Sequence, residues 1–209
     1  MKNTVLTTAD ERKLVTAVLQ NDRKAILQLI RLYERLVVAM VFKMIDKPPD
    51  REDICQDVFL KIFSHLKTFK FDSKLSTWIA QITYNTSVNY LQKKKTLLLD
   101  EVFTNYPLND TDDEQNNYAE TITTNFMHQT VAMPDELLQQ SETNQLLQTA
   151  IEGLPIMFRT LVQLYHIEDM SYTDIAQITQ LPLNTVKSYL FRARKLLKDV
   201  LQQHQFAHH

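Results

Sequence analysis

Two predicted helical faces carry the side chains best suited to chemistry. Between 184 and 200, Val186, Leu190, Ala193, Leu197 and Val200 recur with the 3.6-residue period and form an apolar stripe. Lys187, Ser188, Phe191, Arg192, Lys195 and Lys198 fall off that stripe. Cations with a hydroxyl and an aromatic ring on one outer face suit a DNA major groove, where they meet phosphates and base edges. A basic amphipathic helix with a merely solvated face has the same pattern. The second face belongs to residues 75–95. Asn85 and Asn89, four apart, share one side and extend the line of Ile82, and Lys93, Lys94 and Lys95 follow. With Phe69, Phe71, Trp78, Tyr84 and Tyr90 nearby, this segment suits unstacked single-stranded bases, which need a stacking surface, amide edges and backbone charge. The aromatics serve equally well as core, and the lysines equally well as complements to a helix dipole.

A third group lies on an earlier helix. Ile54, Cys55, Val58, Phe59, Ile62, Phe63 and Leu66 make its inner side, leaving Asp53, Gln56, Asp57, Leu60, Lys61 and Ser64 outside. Leu60 is an apolar residue among polar ones. Single exposed leucines are common, but one ringed by two acids and an amide also suits a protein-docking anchor. Cys55 reads as a small core residue rather than a reactive thiol.

The elements that position these faces are helical throughout. Residues 9–46 give one or two helices, and "KPPD" at 47–50 reads as a break. Asp50 is placed to cap a helix reaching about Leu66, and Ser73 or Ser76 to cap one over Leu75–Lys95. Residues 97–142 are polar and acidic and read as a mobile linker. Periodicity returns after Met133, and a helix from Pro155 to about His166 buries Phe158, Leu161, Val162 and Tyr165. A helix–turn–helix follows: Ser171–Ile178, a turn at Thr179–Leu183, then Asn184–Val200. Ser171 and Asp174 have capping-box spacing, and Pro182 separates the two helices.

Charge divides the chain the same way. Residues 1–96 carry 17 Lys/Arg against 10 Asp/Glu; residues 97–145 carry 10 acids and no Lys or Arg; residues 146–209 carry 6 against 5. The net charge of −2 therefore hides a basic N-terminal part and a purely acidic middle. A single glycine in 209 residues argues for few tight turns. One cysteine excludes an internal disulfide, and no Cys/His cluster has zinc spacing. No apolar run reaches the roughly 18 residues of a membrane span, and the first residues are not a signal peptide. No phosphate loop, nucleophile elbow or other catalytic constellation is present, and the six histidines are scattered. The expectation is a cytoplasmic, all-α, non-enzymatic protein without metal or cofactor. It has two small helical domains, at 1–96 and 136–209, joined by an acidic flexible linker at 97–135.

In this order the parts resemble the bacterial sigma-70 family, in its compact extracytoplasmic-function (ECF) group. "REDICQDVFLKIF" is similar to the sigma-2 helix that docks on the β′ clamp coiled coil of RNA polymerase. "FDSKLSTWIAQITYNTSVNYLQKKK" resembles the segment that melts and reads the −10 element. "LPLNTVKSYLFRARKLL" with the preceding "SYTDIA" resembles the −35-reading helix–turn–helix of sigma-4. The resemblance implies a transcription initiation factor that directs core RNA polymerase (β′ clamp helices and β flap) to promoter DNA and helps open it. It implies polymerase contact at Asp53, Gln56, Asp57 and Leu60, and −10 contact at Trp78, Asn85, Asn89, Lys93, Lys94 and Lys95. It places Thr185, Lys187, Ser188, Phe191 and Arg192 toward the −35 groove, with Arg194 and Lys195 on phosphate. It also implies an anti-sigma partner, able to hold the protein at the membrane, and a linker that passes near the polymerase active site and RNA exit path.

Some residues depart from the family pattern. Gln81 stands where a basic residue is common, and Gln180, Asn184 and Asp169 stand where glycine is. A left-handed Gln180 would cost roughly 1 kcal/mol, whereas Asn184 is a good N-cap type. The 97–135 segment is long and acidic for the group. Two other readings remain from the residues alone. A helix–turn–helix regulator with an N-terminal ligand or dimerisation domain leaves the Asp53–Leu60 face unexplained. A protein-only adaptor leaves the Arg192 face unexplained.

Overall fold

The computed structural model describes residues 7–94 and 136–207, and every regular element among them is helical. Lys95, the linker over 97–135 and the final two histidines lie outside the described residues.

Among the described residues the N-terminal domain has four α-helices. The stretch over 9–46 is two of them, α1 (Thr8–Leu19) and α2 (Arg23–Met44). Asn21 takes a left-handed φ of 60° between them, and the Asp22 side chain then accepts the Lys24 amide at 2.8 Å, starting α2. α2 is the central helix: Leu29, Val37, Met40 and Val41 are fully buried, and α1, α3 and α4 pack around it.

α3 (Pro48–His65) starts earlier than the sequence suggests. Pro48 and Pro49 do not break the chain but form its first turn, where a proline has no amide hydrogen bond to lose and its φ already suits a helix. Lys47 is the N-cap and gives no side-chain bond, so Asp50 is not the cap. Its carboxylate instead accepts from the Tyr90 hydroxyl and ties α3 to α4.

α4 (Leu75–Lys94) follows a short 3₁₀ turn at Leu66–Thr68 and a loop. Neither proposed serine caps it. Ser73 donates to the Lys74 carbonyl at 3.4 Å, and Ser76 lies inside the helix. The Leu75 amide is met by Glu11 Oε1 of α1, at 3.3 Å. Glu11 is buried by this contact, and burial raises its carboxyl above the ordinary value, offset in part by the Leu75 amide and Lys74.

The C-terminal domain contains α5 (Glu136–Gly153), α6 (Ile156–Val162), α7 (Tyr172–Thr179) and α8 (Leu183–Ala207). α6 widens into a π turn over Gln163–Ile167 instead of running on as an α-helix. Phe158, Leu161 and Val162 are buried as their spacing predicts, while Tyr165 is only half-buried. The capping box forms: the Asp174 amide donates to Ser171 Oγ at 3.1 Å, and the Ser171 amide to Asp174 Oδ2 at 3.2 Å. Gln180 closes α7 with φ 60°, and Asp169 has φ 52°, so both take up the left-handed conformation that glycine adopts freely. Asn184 is not an N-cap, because α8 already begins at Leu183 and its first bond runs from the Val186 amide to the Pro182 carbonyl.

The two domains pack together, α2 against α6 and α4 against α7, and their buried apolar residues form one connected cluster. At the rim, Arg159 Nη2 lies 2.6 Å from Asp46 Oδ1, and Lys43 Nζ lies 3.5 Å from Glu152.

Candidate nucleic-acid interface

The α8 face is built by its opposite side. Val186, Leu190 and Ala193 are fully buried, with Leu197 and Val200 nearly so. Tyr189 joins them 5.4 Å from the Phe158 ring, a contact the stripe alone misses. This seating leaves Lys187, Phe191, Arg194, Lys195 and Lys198 exposed and Ser188 and Arg192 partly so. Phe191 is 66% exposed, a large apolar surface on an otherwise basic face. Arg194 has its Nε held by the Leu190 carbonyl at 3.1 Å, which leaves the guanidinium tip outside. Thr185 departs from this pattern: it is 7% exposed and turned to the core side, so it is not part of the presented face.

On α4, Asn85, Asn89 and Lys93 are exposed on one side. The aromatic residues around them divide. Tyr84 is core, its hydroxyl pushed up to about 12 by burial, and Phe69 is core too. Trp78 and Phe71 are half-buried and flank Phe69, with ring centroids 5.2 and 4.6 Å from it. The Arg12 guanidinium of α1 covers Phe71 at 4.3 Å. Phe71 has φ 62°, rare for a bulky residue, and the packing of this ring cluster holds it there.

On α3, Asp53, Gln56, Asp57 and Leu60 are all exposed and share one face. Leu60 is 69% exposed. Asp57 pairs with Lys61 one turn on, at 2.8 Å, a surface contact that competes only weakly with a partner. Cys55 is half-buried, and burial raises its thiol, which keeps it protonated and unreactive.

Sequence reading missed one constellation. Tyr165 and Tyr172 stack with centroids 4.8 Å apart and planes 7° from parallel. A hydrogen bond between their hydroxyls lowers the Tyr172 phenol, with Arg194 and Lys187 acting in the same direction, so the pair sits beside the basic face of α8. The π turn and the left-handed Asp169 bring the two rings together, and neither feature has a periodic signal in the sequence. Among the described residues no group of three His, Cys, Asp or Glu could hold a metal ion, and no helix is long and apolar enough to cross a membrane.

One helix exposing amides and another exposing cations, on two packed helical domains, are the surfaces a two-module nucleic-acid-reading protein would present. Comparison with known proteins gives the family. Residues 29–96 match sigma-70 region 2 and residues 144–197 match sigma-70 region 4, together more than half of the chain. The RNA polymerase sigma-H factor of Pseudomonas aeruginosa is 27% identical over 198 residues, covering 95% of this chain and 97% of that protein. The ECF RNA polymerase sigma-E factors of Haemophilus influenzae and Escherichia coli K12 are each 29% identical. They cover 92% of this chain and 95% and 94% of their own lengths. Among solved structures, the Bartonella quintana sigma factor RpoE, crystallised with the anti-sigma factor NepR, aligns at TM-score 0.57 and 20% identity. That alignment covers 84% of this chain and 95% of that one. CnrH, solved in complex with the cytosolic domain of CnrY, aligns at TM-score 0.57 and 17% identity over 92% of this chain and 97% of its own. The chain belongs to the sigma-70 family, in its ECF group, and acts in promoter recognition and transcription initiation.

Proposed function

We propose that this sigma factor divides its work among three faces. Asp53, Gln56, Asp57 and Leu60 dock on core RNA polymerase. Trp78, Asn85, Asn89 and Lys93–Lys95 capture the unstacked −10 strand. Lys187, Ser188, Phe191 and Arg192 read the −35 duplex, with Arg194 and Lys195 on its phosphates. The domains carrying these faces are residues 1–96 and 136–209, with the acidic 97–135 segment between them. The chain performs no catalysis of its own. Binding energy from captured bases offsets the cost of strand separation.

The observation that carries this reading is the exposed Leu60 within an acidic and amide ring, on the same domain as the Asn85–Asn89 line. A stand-alone DNA-binding regulator has no use for such an anchor. One structure of this fold is held by an anti-sigma factor, and a second is bound by the cytosolic domain of CnrY; we assign this chain an anti-sigma partner and a cytoplasmic location, at the membrane when that partner is membrane-bound. The test is run-off transcription with purified core polymerase on a promoter library. Discrete start sites that depend on the added chain are expected; their absence with active polymerase would overturn the reading.

A further inference from the structure

We infer that Glu11 and Arg12, neighbours on α1, are positioning residues for the −10 reader: they hold the two ends of the segment 71–75 and so fix where Trp78 and the amide line behind it face. The inference rests on the assignment of Trp78, Asn85 and Asn89 to the −10 strand, and it places neither Glu11 nor Arg12 on DNA.

The two contacts differ in kind. Glu11 Oε1 accepts the Leu75 amide at 3.3 Å, and both residues are buried, at 7% and 0% exposure. Leu75 opens α4, so its amide is one of the donors that a helix cannot satisfy within itself. α4 has no acidic residue in its own first turn. The carboxylate of α1 therefore caps α4 from outside, and its charge meets the positive end of the helix dipole. One residue on, the Arg12 guanidinium lies 4.3 Å from the Phe71 ring centre. Phe71 is left-handed at φ 62°, a conformation that a bulky residue keeps only where its surroundings hold it.

These contacts hold the start of the reading line. Trp78, Ile82, Asn85 and Asn89 follow one side of α4, with Trp78 at the head. The Trp78 amide bonds the Lys74 carbonyl at 3.1 Å and closes the first turn. Its ring lies 5.2 Å from Phe69, which lies 4.6 Å from Phe71. Fraying at Leu75 or release of Phe71 thus reaches Trp78 within one turn. A ring already fixed in place loses less freedom when it meets an unstacked base. α1 needs neither side chain to stay attached, because Leu14, Val15 and Val18 bury its apolar side in the core.

The brace also titrates. Burial raises the Glu11 carboxyl, with the Leu75 amide and Lys74 pulling the other way. The ionisable groups on the surrounding elements are Lys74, Tyr33 of α2 and, sharing the field of Lys74, Asp174 of α7. Burial and the Glu11 charge raise the Tyr33 phenol, so it stays neutral. Burial raises the Asp174 carboxyl, but hydrogen bonds from Ser171 and Thr77 hold it below its ordinary value, so it stays ionised where Glu11 takes up a proton. A raised carboxyl means that the folded chain binds this proton more readily than the unfolded chain, so the group adds stability as pH falls. Protonation nevertheless removes the charge from the cap. The brace weakens at low pH while this group's contribution to stability grows, which separates positioning from folding.

Trp78 is the chain's one tryptophan, so the free full-length chain reports on the brace without a label. Glu11→Ala and Arg12→Ala should each shift its emission to longer wavelength and lower its anisotropy. Glu11→Gln keeps the acceptor oxygen but not the charge, and should fall between wild type and Glu11→Ala. From about pH 8 to about pH 5 the wild-type emission should move to the Glu11→Gln value, which stays constant. With core polymerase on a promoter from the run-off library, Glu11→Ala should slow open-complex formation about tenfold or more, the order of loss when a charge-assisted hydrogen bond goes. Glu11→Gln should slow it less, and affinity for core polymerase and for −35 duplex should not change. The inference is overturned if Glu11→Ala leaves Trp78 emission and opening as they are, or if Glu11→Gln follows the wild-type pH curve. It is also overturned if opening, core binding and −35 binding fall together with the melting temperature, as general destabilisation would make them. If Glu11→Ala does not fold, Glu11→Gln and Arg12→Ala decide by the same criteria. The emission measurement needs neither polymerase nor promoter, so it can fail or succeed independently of the transcription assay.

Discussion

α4 and α8 present opposite chemistries on similar scaffolds. α8 exposes Lys187, Lys195 and Lys198 around Phe191, on a helix whose inner stripe is buried. α4 exposes the uncharged Asn85 and Asn89, and its charge is confined to its C-terminal end. A duplex offers dense phosphate charge and fixed base edges, so a cationic face gains affinity there by releasing counterions. An unstacked strand offers base faces and edges, which amides and aromatic rings meet with less help from charge. On the assignment proposed for α4 and α8, the difference would let one chain of net charge −2 address two states of the same DNA.

Three sets of substitutions would break or sharpen this contrast. The largest effect is expected from Leu60→Ala combined with Asp57→Ala. Loss of a buried apolar anchor and its charged rim should cost at least about 2 kcal/mol, roughly thirtyfold in affinity for core polymerase. Duplex binding by the same full-length chain should not change; an equal loss in both titrations would contradict the division of labour. Next is the pair Arg192→Ala and Asn89→Ala. Removing Arg192 should cost about 1–3 kcal/mol of discrimination at one −35 base pair in a competition assay. Removing Asn89 should slow open-complex formation and leave the salt dependence of duplex binding as it was. If Asn89→Ala instead flattened the salt slope, the contrast between the two helices would be lost. The smallest effect is expected from Gln180→Gly, which relieves the left-handed backbone at the helix–turn–helix corner. It should stabilise the chain by about 1 kcal/mol in thermal unfolding, with no change at −10.

The helical architecture was legible because it is local. The inner stripe of α8, the Ser171–Asp174 capping box and the exposed side of α3 follow from residues three or four apart. The start of α3 differs from the sequence expectation for a local reason too: prolines break helix interiors but suit first turns, and position alone separates the two cases. The family resemblance places Thr185 toward the groove, yet it turns inward next to the fully buried Val186. A threonine at the start of a helix carries no periodic mark of which side it will take.

By itself, the sequence determined the set of helices, the two outward chemistries and the isolation of Leu60, because these depend on periodicity and side-chain type. Tertiary structure alone decided what lies between distant segments: Glu11 meeting the start of α4, Tyr165 stacked on Tyr172, and Thr77 bonded to Asp174. These contacts depend on how the chain is routed in space, and no short stretch of sequence encodes that route.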